Sequence, residues 1–97
     1  MNIHDIKRKA LPVLKKHGIT KASVFGSATR DEMTKSSDVD FLVEFPNTIH
    51  GFDYVALKVD LAEDLKNTLG RNVDLVEYKL IKKELQSYIL PNQVQIL

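Results

Sequence analysis

The stretch "FGSATRDEMTKSSDVDF", residues 25–41, holds a Gly-Ser pair, ten mostly small and polar residues, and then Asp-Val-Asp. The run that follows, "VDFLVEF" at 39–45, alternates as a strand does, and alternate residues of a strand share a face. One face then carries Val39, Phe41, Val43 and Phe45, and the other carries Asp38, Asp40, Leu42 and Glu44. Two carboxylates on one face repel each other, and a bound divalent cation would remove the difficulty.

Working outward from this strand, the hydrophobic periodicity predicts an α/β or α+β domain. The predicted order is a helix at 3–17, strands at 19–25 and 39–45, a helix at 54–69, a strand at 72–78, a helix at 80–89 and a short final strand within 93–97. The helix at 54–69 has one apolar stripe, formed by Tyr54, Leu57, Leu61, Leu65 and Leu69. Asn2 is suited to cap the first helix and Gly18 to end it, and Pro12 predicts a kink. No repeat or linker interrupts the chain, which is therefore expected to be a single domain over residues 1–97.

Composition narrows the class of protein. The chain has 97 residues, 43% hydrophobic and 28% charged, which is typical of a globular domain. It contains no cysteine, so disulfides and thiolate metal sites are excluded. No apolar run reaches the ~18–20 residues of a membrane span, and the first residues lack a secretory segment. A cytoplasmic location is expected, with no membrane association.

A third acid extends the pattern of the second strand. In "NVDLVEY", residues 72–78, Asp74 lies on the face opposite Val73 and Leu75. If this strand neighbours the second one, Asp74 joins Asp38 and Asp40 on one open surface. Three carboxylates from two strands are the ligand set of a two-metal phosphoryl or nucleotidyl transfer site, and oxygen ligands favour Mg²⁺ or Mn²⁺ over zinc.

Phosphate binding is predicted at the Gly26-Ser27 pair, with Arg30 nearby in the sequence. Glycine lets the backbone approach a ligand closely, and Ser27 offers a hydroxyl and an N–H where a strand ends. Arg30 adds a positive charge suited to triphosphate oxygens. The alternative interpretations are a tight turn at Gly26-Ser27 and a surface ion pair between Arg30 and a neighbouring acid.

Together these residues resemble the minimal nucleotidyltransferases of the DNA polymerase β-like superfamily, whose signature is Gly-Ser, ten residues and Asp-x-Asp, with a third carboxylate on a later strand. Gly26-Ser27 and Asp38-Val39-Asp40 match it in residue and spacing, and Asp74 supplies the later acid. The resemblance covers nearly the whole chain. It implies a small mixed sheet of three to four strands packed with helices, the polymerase β-like palm, whereas periodicity alone suggests parallel βαβ units.

The resemblance also implies an activity. Small members of this class look like the antitoxin halves of toxin–antitoxin pairs, and transfer AMP from ATP to a tyrosine of a helical HEPN-domain ribonuclease. It implies two Mg²⁺ ions on Asp38 and Asp40, with Asp74 on the catalytic ion, and the β- and γ-phosphates held by Ser27 and the Gly26 backbone. Many relatives have Gly where this chain has Asp31, an acid that would either weaken phosphate binding or face solvent.

Other functions stay open at this point. The chain is alternatively a non-catalytic antitoxin, a binding module that neutralises its partner by forming a complex. For either function, a homo-oligomer and a hetero-oligomer with the toxin both stay open. Transfer to an aminoglycoside or an RNA end is less favoured, because 97 residues leave no room for an acceptor domain and no concentrated basic face predicts nucleic-acid binding. Two further interpretations are structural: Glu44 as a rim residue, and Phe52 and Tyr78 as core residues.

Overall fold

The structure is a computed structural model that describes residues 2–26 and 38–97, with all of their side chains except those of Tyr88 and Leu90. The first helix, α1, spans Ile3–Lys16. Asn2 caps it as predicted, since its side-chain oxygen accepts a hydrogen bond from the backbone N–H of Asp5 at 3.0 Å. Pro12 lies inside the helix without ending it. The apolar side of α1 is buried through Ile6, Ala10, Val13 and Leu14.

The described residues form one sheet of four strands, β1 (Lys21–Phe25), β2 (Val39–Glu44), β3 (Val73–Glu77) and β4 (Val94–Gln95). Their order across the sheet is β3-β2-β1-β4. β1 is antiparallel to both β2 and β4, whereas β2 and β3 are parallel. The mixed sheet implied by the resemblance is therefore confirmed, and the wholly parallel sheet suggested by periodicity alone is wrong.

The second helix, α2, spans Gly51–Leu69 and connects the parallel strands β2 and β3. It begins three residues before the predicted start, because its first turn is exposed and adds nothing to the apolar stripe. It ends as predicted at Gly70, which adopts a left-handed conformation at φ +68° and donates its N–H to the Lys66 carbonyl at 2.8 Å.

One face of the sheet, the helix-covered face, packs against α1 and α2. Val39, Phe41 and Val43 of β2 are fully buried there, as the alternation predicts. Leu61, Leu65 and Leu69 of α2 pack against them in the same core, with Tyr54 and Leu57 at its border. The carboxylate-bearing side of β2 is consequently directed to the other face, called here the second face.

A C-terminal segment, residues 78–93, crosses the sheet because β3 and β4 lie at opposite edges. It contains a 3₁₀ turn at Tyr78–Leu80, the helix α3 at Lys83–Ile89 and a second 3₁₀ turn at Leu90–Asn92. The Tyr78 hydroxyl is hydrogen-bonded to Ser23 in the middle of the second face and donates to Gln93 at 3.1 Å. Leu42, which shares this face with the carboxylates, is fully buried, as is its register partner Ser23. The segment therefore crosses the middle of the second face at Ser23.

No described helix is long and apolar enough to cross a membrane.

An ion-pair cluster joins the end of α1 to α2. Asp64 on α2 lies 2.9 Å from Nε2 of His17 and 3.6 Å from Nζ of Lys16. The hydrogen bond from His17 lowers the pKa of Asp64 more than any other contact, and the charge of Lys16 lowers it further. An acid with a lowered pKa stabilises the folded state above its unfolded value, about 3.9, and loses that contribution as pH falls through the folded value.

We therefore expect Asp64→Asn to lower the free energy of unfolding at pH 7, and its difference from the wild type to shrink as pH falls below about 3.9 and through the lowered folded-state pKa. Urea unfolding across this pH range measures the difference, and Asp60→Asn on the exposed side of the same helix is the control. A deficit that persisted unchanged at low pH would show that Asp64 acts through its shape and not its charge.

Candidate active site

The open end of the second face brings two of the predicted acids together. Asp40 on β2 and Asp74 on β3 are direct register partners in the parallel pair. Neighbouring strands are about 4.8 Å apart, and partners in register direct their side chains to the same face. Asp40 is half-buried and Asp74 is exposed. The two carboxylates therefore lie side by side at the open end of the second face.

Asp38, the third predicted acid, immediately precedes β2 and is exposed. The following residue fixes the start of the strand, since the N–H of Val39 donates to the Asn72 carbonyl at 2.9 Å just before β3 begins. This hydrogen bond holds the first residues of β2 and β3 together. Asp38 is thereby placed next to Asp40 and within electrostatic reach of it.

The electrostatics of Asp40 reflect this crowding. Burial raises the pKa of its carboxyl group above the ordinary value, and the charges of Asp74 and then Asp38 raise it further. Each neighbouring acid thus disfavours ionisation of Asp40, which is the expected behaviour of like charges sharing one site. A bound cation would reverse this effect on Asp40.

Gly26 lies against the same carboxylate. It follows β1, whose last residue Phe25 is the register partner of Asp40 on the antiparallel side. Its φ is +77°, and a Cβ at this position would lie 2.6 Å from Oδ2 of Asp40. Only glycine therefore allows the backbone at the end of β1 to pass this close to Asp40 without displacing it.

The other predicted phosphate-binding residues, Ser27 and Arg30, lie outside the described residues, as does Asp31. Glu44 is exposed at the opposite end of β2, where its register partner is Lys21. The structure therefore separates Glu44 from Asp40 along the strand.

The donor chemistry of the site fits a divalent cation such as Mg²⁺. Within residues 2–26 and 38–97, no three acidic, histidine or cysteine side chains converge closely enough to enclose a metal ion by themselves. Mg²⁺ seldom requires such a cage, because it retains water and is usually bound by one or two carboxylates together with substrate phosphates. Asp38, Asp40 and Asp74 offer only oxygen ligands, and their mutual repulsion favours a cation. They are the residues that would hold it.

Glu77 is a buried acid that was not among the residues predicted from the sequence. It follows Val73 and Leu75 at alternate positions of β3, so strand alternation could have predicted that it lies on the helix-covered face. It is 2% exposed, and no described group hydrogen-bonds to either carboxylate oxygen. Lys79 Nζ lies 3.9 Å from one of them.

The surroundings of Glu77 are polar only in part. The Tyr54 hydroxyl lies close enough to interact with Glu77, although outside good hydrogen-bond geometry, and this interaction, followed by burial and then the charge of Glu77, raises the pKa of Tyr54 to about 12. Phe45 packs edge-on against that tyrosine ring at 5.4 Å. Glu77 also lines a groove of about 370 Å³ at the end of the sheet away from Asp40, beside Lys21 and Tyr78. This groove belongs to a different part of the molecule from the three acids.

Comparison with known proteins agrees with the geometry. The family described as polymerase beta, nucleotidyltransferase matches residues 8–97. A Methanocaldococcus jannaschii protein named as a protein adenylyltransferase is 44% identical over 97 residues, which cover 100% of both chains.

Solved structures share the fold. One described as a minimal nucleotidyltransferase superposes with a TM-score of 0.79 at 26% identity, covering 97% of this chain and 95% of that one. Another holds a tri-AMPylated HEPN toxin of Shewanella oneidensis in complex with its MNT antitoxin. It matches with a TM-score of 0.67 at 20% identity, over 95% of this chain and 69% of that one.

Comparing Gly18 with Gly26 distinguishes the cost of backbone strain from the cost of crowding the Asp40 carboxylate. Gly18 and Gly26 have nearly equal φ values, +76° and +77°, but a Cβ at Gly18 would meet nothing within 4 Å. We expect Gly18→Ala and Gly26→Ala each to lower the free energy of unfolding by about 1–2 kcal/mol. Only Gly26→Ala should also weaken Mg²⁺ binding, since its methyl group displaces the Asp40 carboxylate. Calorimetric titration with Mg²⁺ and urea unfolding measure the two effects, and equal Mg²⁺ affinity in both variants would contradict this account.

Burial of the Glu77 carboxyl group, whose polar neighbours are the Tyr54 hydroxyl and Lys79, predicts a cost in stability. Glu77→Met should raise the free energy of unfolding by about 1 kcal/mol, because an apolar side chain of similar length removes a buried carboxyl group that has no hydrogen bond of good geometry. Glu77→Gln, which keeps the shape and loses the charge, is the control and should gain less. Urea unfolding at pH 7 tests this, and a marked loss of stability in Glu77→Met would mean that the carboxylate is satisfied in solution.

Proposed function

Because the chain belongs to the polymerase beta nucleotidyltransferase family, we propose that it transfers AMP from ATP to a tyrosine hydroxyl of a HEPN-domain toxin and so acts as the antitoxin. The observation that carries this proposal is the register of Asp40 with Asp74 beside Asp38 and Gly26, at the open end of the second face. A relative covering the whole chain is named as a protein adenylyltransferase. A structural neighbour is an MNT antitoxin in complex with an AMPylated HEPN toxin.

Each residue of the site has a separate task in this reaction. Asp38 and Asp40 would hold two Mg²⁺ ions, and Asp74 would share the catalytic one. When bound, the metal ions lower the pKa of the attacking hydroxyl and neutralise charge on the leaving pyrophosphate. Gly26 allows the backbone to pass close to the Asp40 carboxylate, and its backbone would hold the β- and γ-phosphates together with Ser27. Arg30 would add a positive charge to them.

The covalent step is a substitution at phosphorus. The tyrosine oxygen forms a bond to the α-phosphorus of ATP, and the bond from that phosphorus to the oxygen bridging to the β-phosphate breaks. Pyrophosphate leaves with the electron pair of that bond. Asp74 lies at the exposed rim of the acidic cluster, where it would help to take the tyrosine proton.

Replacing Asp40 by Asn should abolish transfer without unfolding the protein. We expect a loss of about 100-fold or more, since the variant removes a carboxylate that the metal ions require. Because the folded protein raises the pKa of Asp40, the ionised carboxylate destabilises the fold above that pKa. The metal-free variant should therefore be at least as stable as the wild type at pH 7.

The measurement uses purified protein, Mg²⁺ and α-labelled ATP added to extract of the source organism. A labelled protein that forms with the wild type and with Glu44→Gln, but not with Asp40→Asn, would support the proposal and identify the acceptor by mass spectrometry. Equal labelling by Asp40→Asn would exclude this mechanism. If no protein were labelled while the partner toxin was still neutralised by a triple Asp variant, the non-catalytic antitoxin would be the correct function.

A further inference from the structure

A groove at the carboxyl ends of β2 and β3 lies apart from the acids of the transfer site. It has a volume of about 370 Å³, and Val43 and Glu77, which are register partners near these ends, both line it. Asp40 and Asp74 lie near the amino ends of the same strands, about 10 Å away. Ligands of open α/β sheets commonly bind outside the carboxyl ends of parallel strands. We call this cavity the Glu77 groove.

The carboxyl group of Glu77 is the feature of the groove that points to a ligand. It is 2% exposed, and neither oxygen has a hydrogen bond of good geometry to any described group. Such a buried acid costs stability. Proteins retain costly polar groups mostly at functional sites. A ligand that donated hydrogen bonds to both oxygens would remove the cost.

Lys79 is the charged neighbour that a ligand would replace. Its Nζ lies 3.9 Å from one oxygen of Glu77, which is an ion pair too long for a hydrogen bond. The Lys79 side chain is 74% exposed, and an exposed lysine gains little from any one ionic partner. Movement of Lys79 away from Glu77 would therefore open the carboxyl group to the groove at a small cost in free energy.

The charges of the groove select the kind of ligand. Lys21 and Lys79 line it together with Glu44 and Glu77, so two positive and two negative groups balance. A simple anion would be repelled by Glu77, and a simple cation by the lysines. A ligand with hydrogen-bond donors at one end and a negative charge at the other suits both.

The distance across the groove suits a ligand of this kind. Glu77 is on β3 and Lys21 is on β1, with β2 between them. Strands lie about 4.8 Å apart, so the two residues are separated by about 10 Å, which is on the order of the distance between the base and the phosphate of a nucleotide. Nζ of Lys21 lies 4.6 Å from the centre of the Tyr78 ring.

Apolar and aromatic side chains form the wall between these charges. Val43 is fully buried and Phe45 is 6% exposed, and Tyr78 lines the groove beside them. Such a wall accommodates a flat ring, and aromatic side chains stack on nucleobases. Phe52, which was predicted with Tyr78 to be a core residue, is instead 94% exposed on α2, so that prediction is wrong.

The chemistry of a carboxylate favours one base over the others. An ionised carboxylate only accepts hydrogen bonds, so its two oxygens require two adjacent N–H donors. Guanine has such a pair in its N1–H and its 2-amino group. Adenine and cytosine place an acceptor nitrogen beside their amino group, and this nitrogen would face a carboxylate oxygen. The volume of the groove is within the range of about 300–1,000 Å³ that small ligands occupy.

We propose that the Glu77 groove binds a guanine nucleotide, whose N1–H and 2-amino group donate to Glu77 and whose phosphates contact Lys21 and Lys79. This site goes beyond the proposed function, because it lies at the opposite end of the sheet from the acids that would bind ATP. The protein would then carry a binding site for a second nucleotide that takes no part in the transfer.

The test is calorimetric titration of the purified chain with GDP, in buffer that contains EDTA so that no nucleotide binds the acids through Mg²⁺. We expect one GDP to bind per chain. Glu77→Gln should weaken GDP binding about tenfold or more, since its amide replaces an acceptor by a donor. Glu44→Gln, which removes the same charge from an exposed residue of the same groove, should bind GDP at least as tightly as the wild type.

Two further titrations do not depend on a change in the buried acid. IDP lacks only the 2-amino group of GDP, and the wild type should bind it more weakly than GDP and more tightly than ADP. Lys21→Met should weaken the binding of GDP but not that of guanosine, which has no phosphate.

Three results would overturn the proposal: wild-type protein that does not bind GDP, equal affinities for GDP and ADP, or undiminished GDP binding by Glu77→Gln. None of them bears on AMP transfer, which is tested separately by Asp40→Asn.

Discussion

The parallel pairing of β2 with β3 places Asp40 opposite Asp74, and the other elements are arranged around that pairing. Two parallel strands require a crossover, which α2 provides, and its leucines cover the helix-covered face. The repulsion between the acids is tolerated because the strands are held elsewhere, by backbone hydrogen bonds and by buried residues such as Phe41 and Leu75. Most of the core thus lies on the helix-covered face, and the open end of the second face retains a charge arrangement that is unfavourable until a cation binds.

The C-terminal segment covers one part of the second face, and the acids lie on another part. The C-terminal segment crosses this face at Ser23 and Tyr78, where a hydrogen bond and the ring contact with Lys21 hold it. Among the described residues, the acids are exposed at the end of the sheet beside Gly26, which lacks the side chain that would otherwise crowd Asp40. The groove beside Glu77 lies at the opposite end of the sheet from Asp40.

Much of this arrangement could be predicted from the sequence, because strand alternation and helical periodicity record which residues share a face. They placed Val39, Phe41 and Val43 in the core, and they predicted that Asp74 would join Asp38 and Asp40 if their strands were neighbours. Periodicity does not record which distant segment covers a face, so the burial of Leu42 and the exposure of Phe52 were not predictable. Glu77 was readable as a core-facing acid from its alternation with Leu75. The roles of Ser27 and Arg30 remain predictions.

The position of β4 has a consequence for how the chain reaches this structure. β2 and β3 are joined by a helix, and their contacts are closer in sequence than the pairing of Ser23 with Gln95. Contacts distant in sequence are slow to form, because a long loop must first be closed. The outer edge of β1 would therefore stay unpaired while the rest of the sheet assembles, and an unpaired edge is a template for association with other chains. The two residues of β4 pair with Ser23 and Val24 and so cover this edge in the folded protein, which removes the template for association.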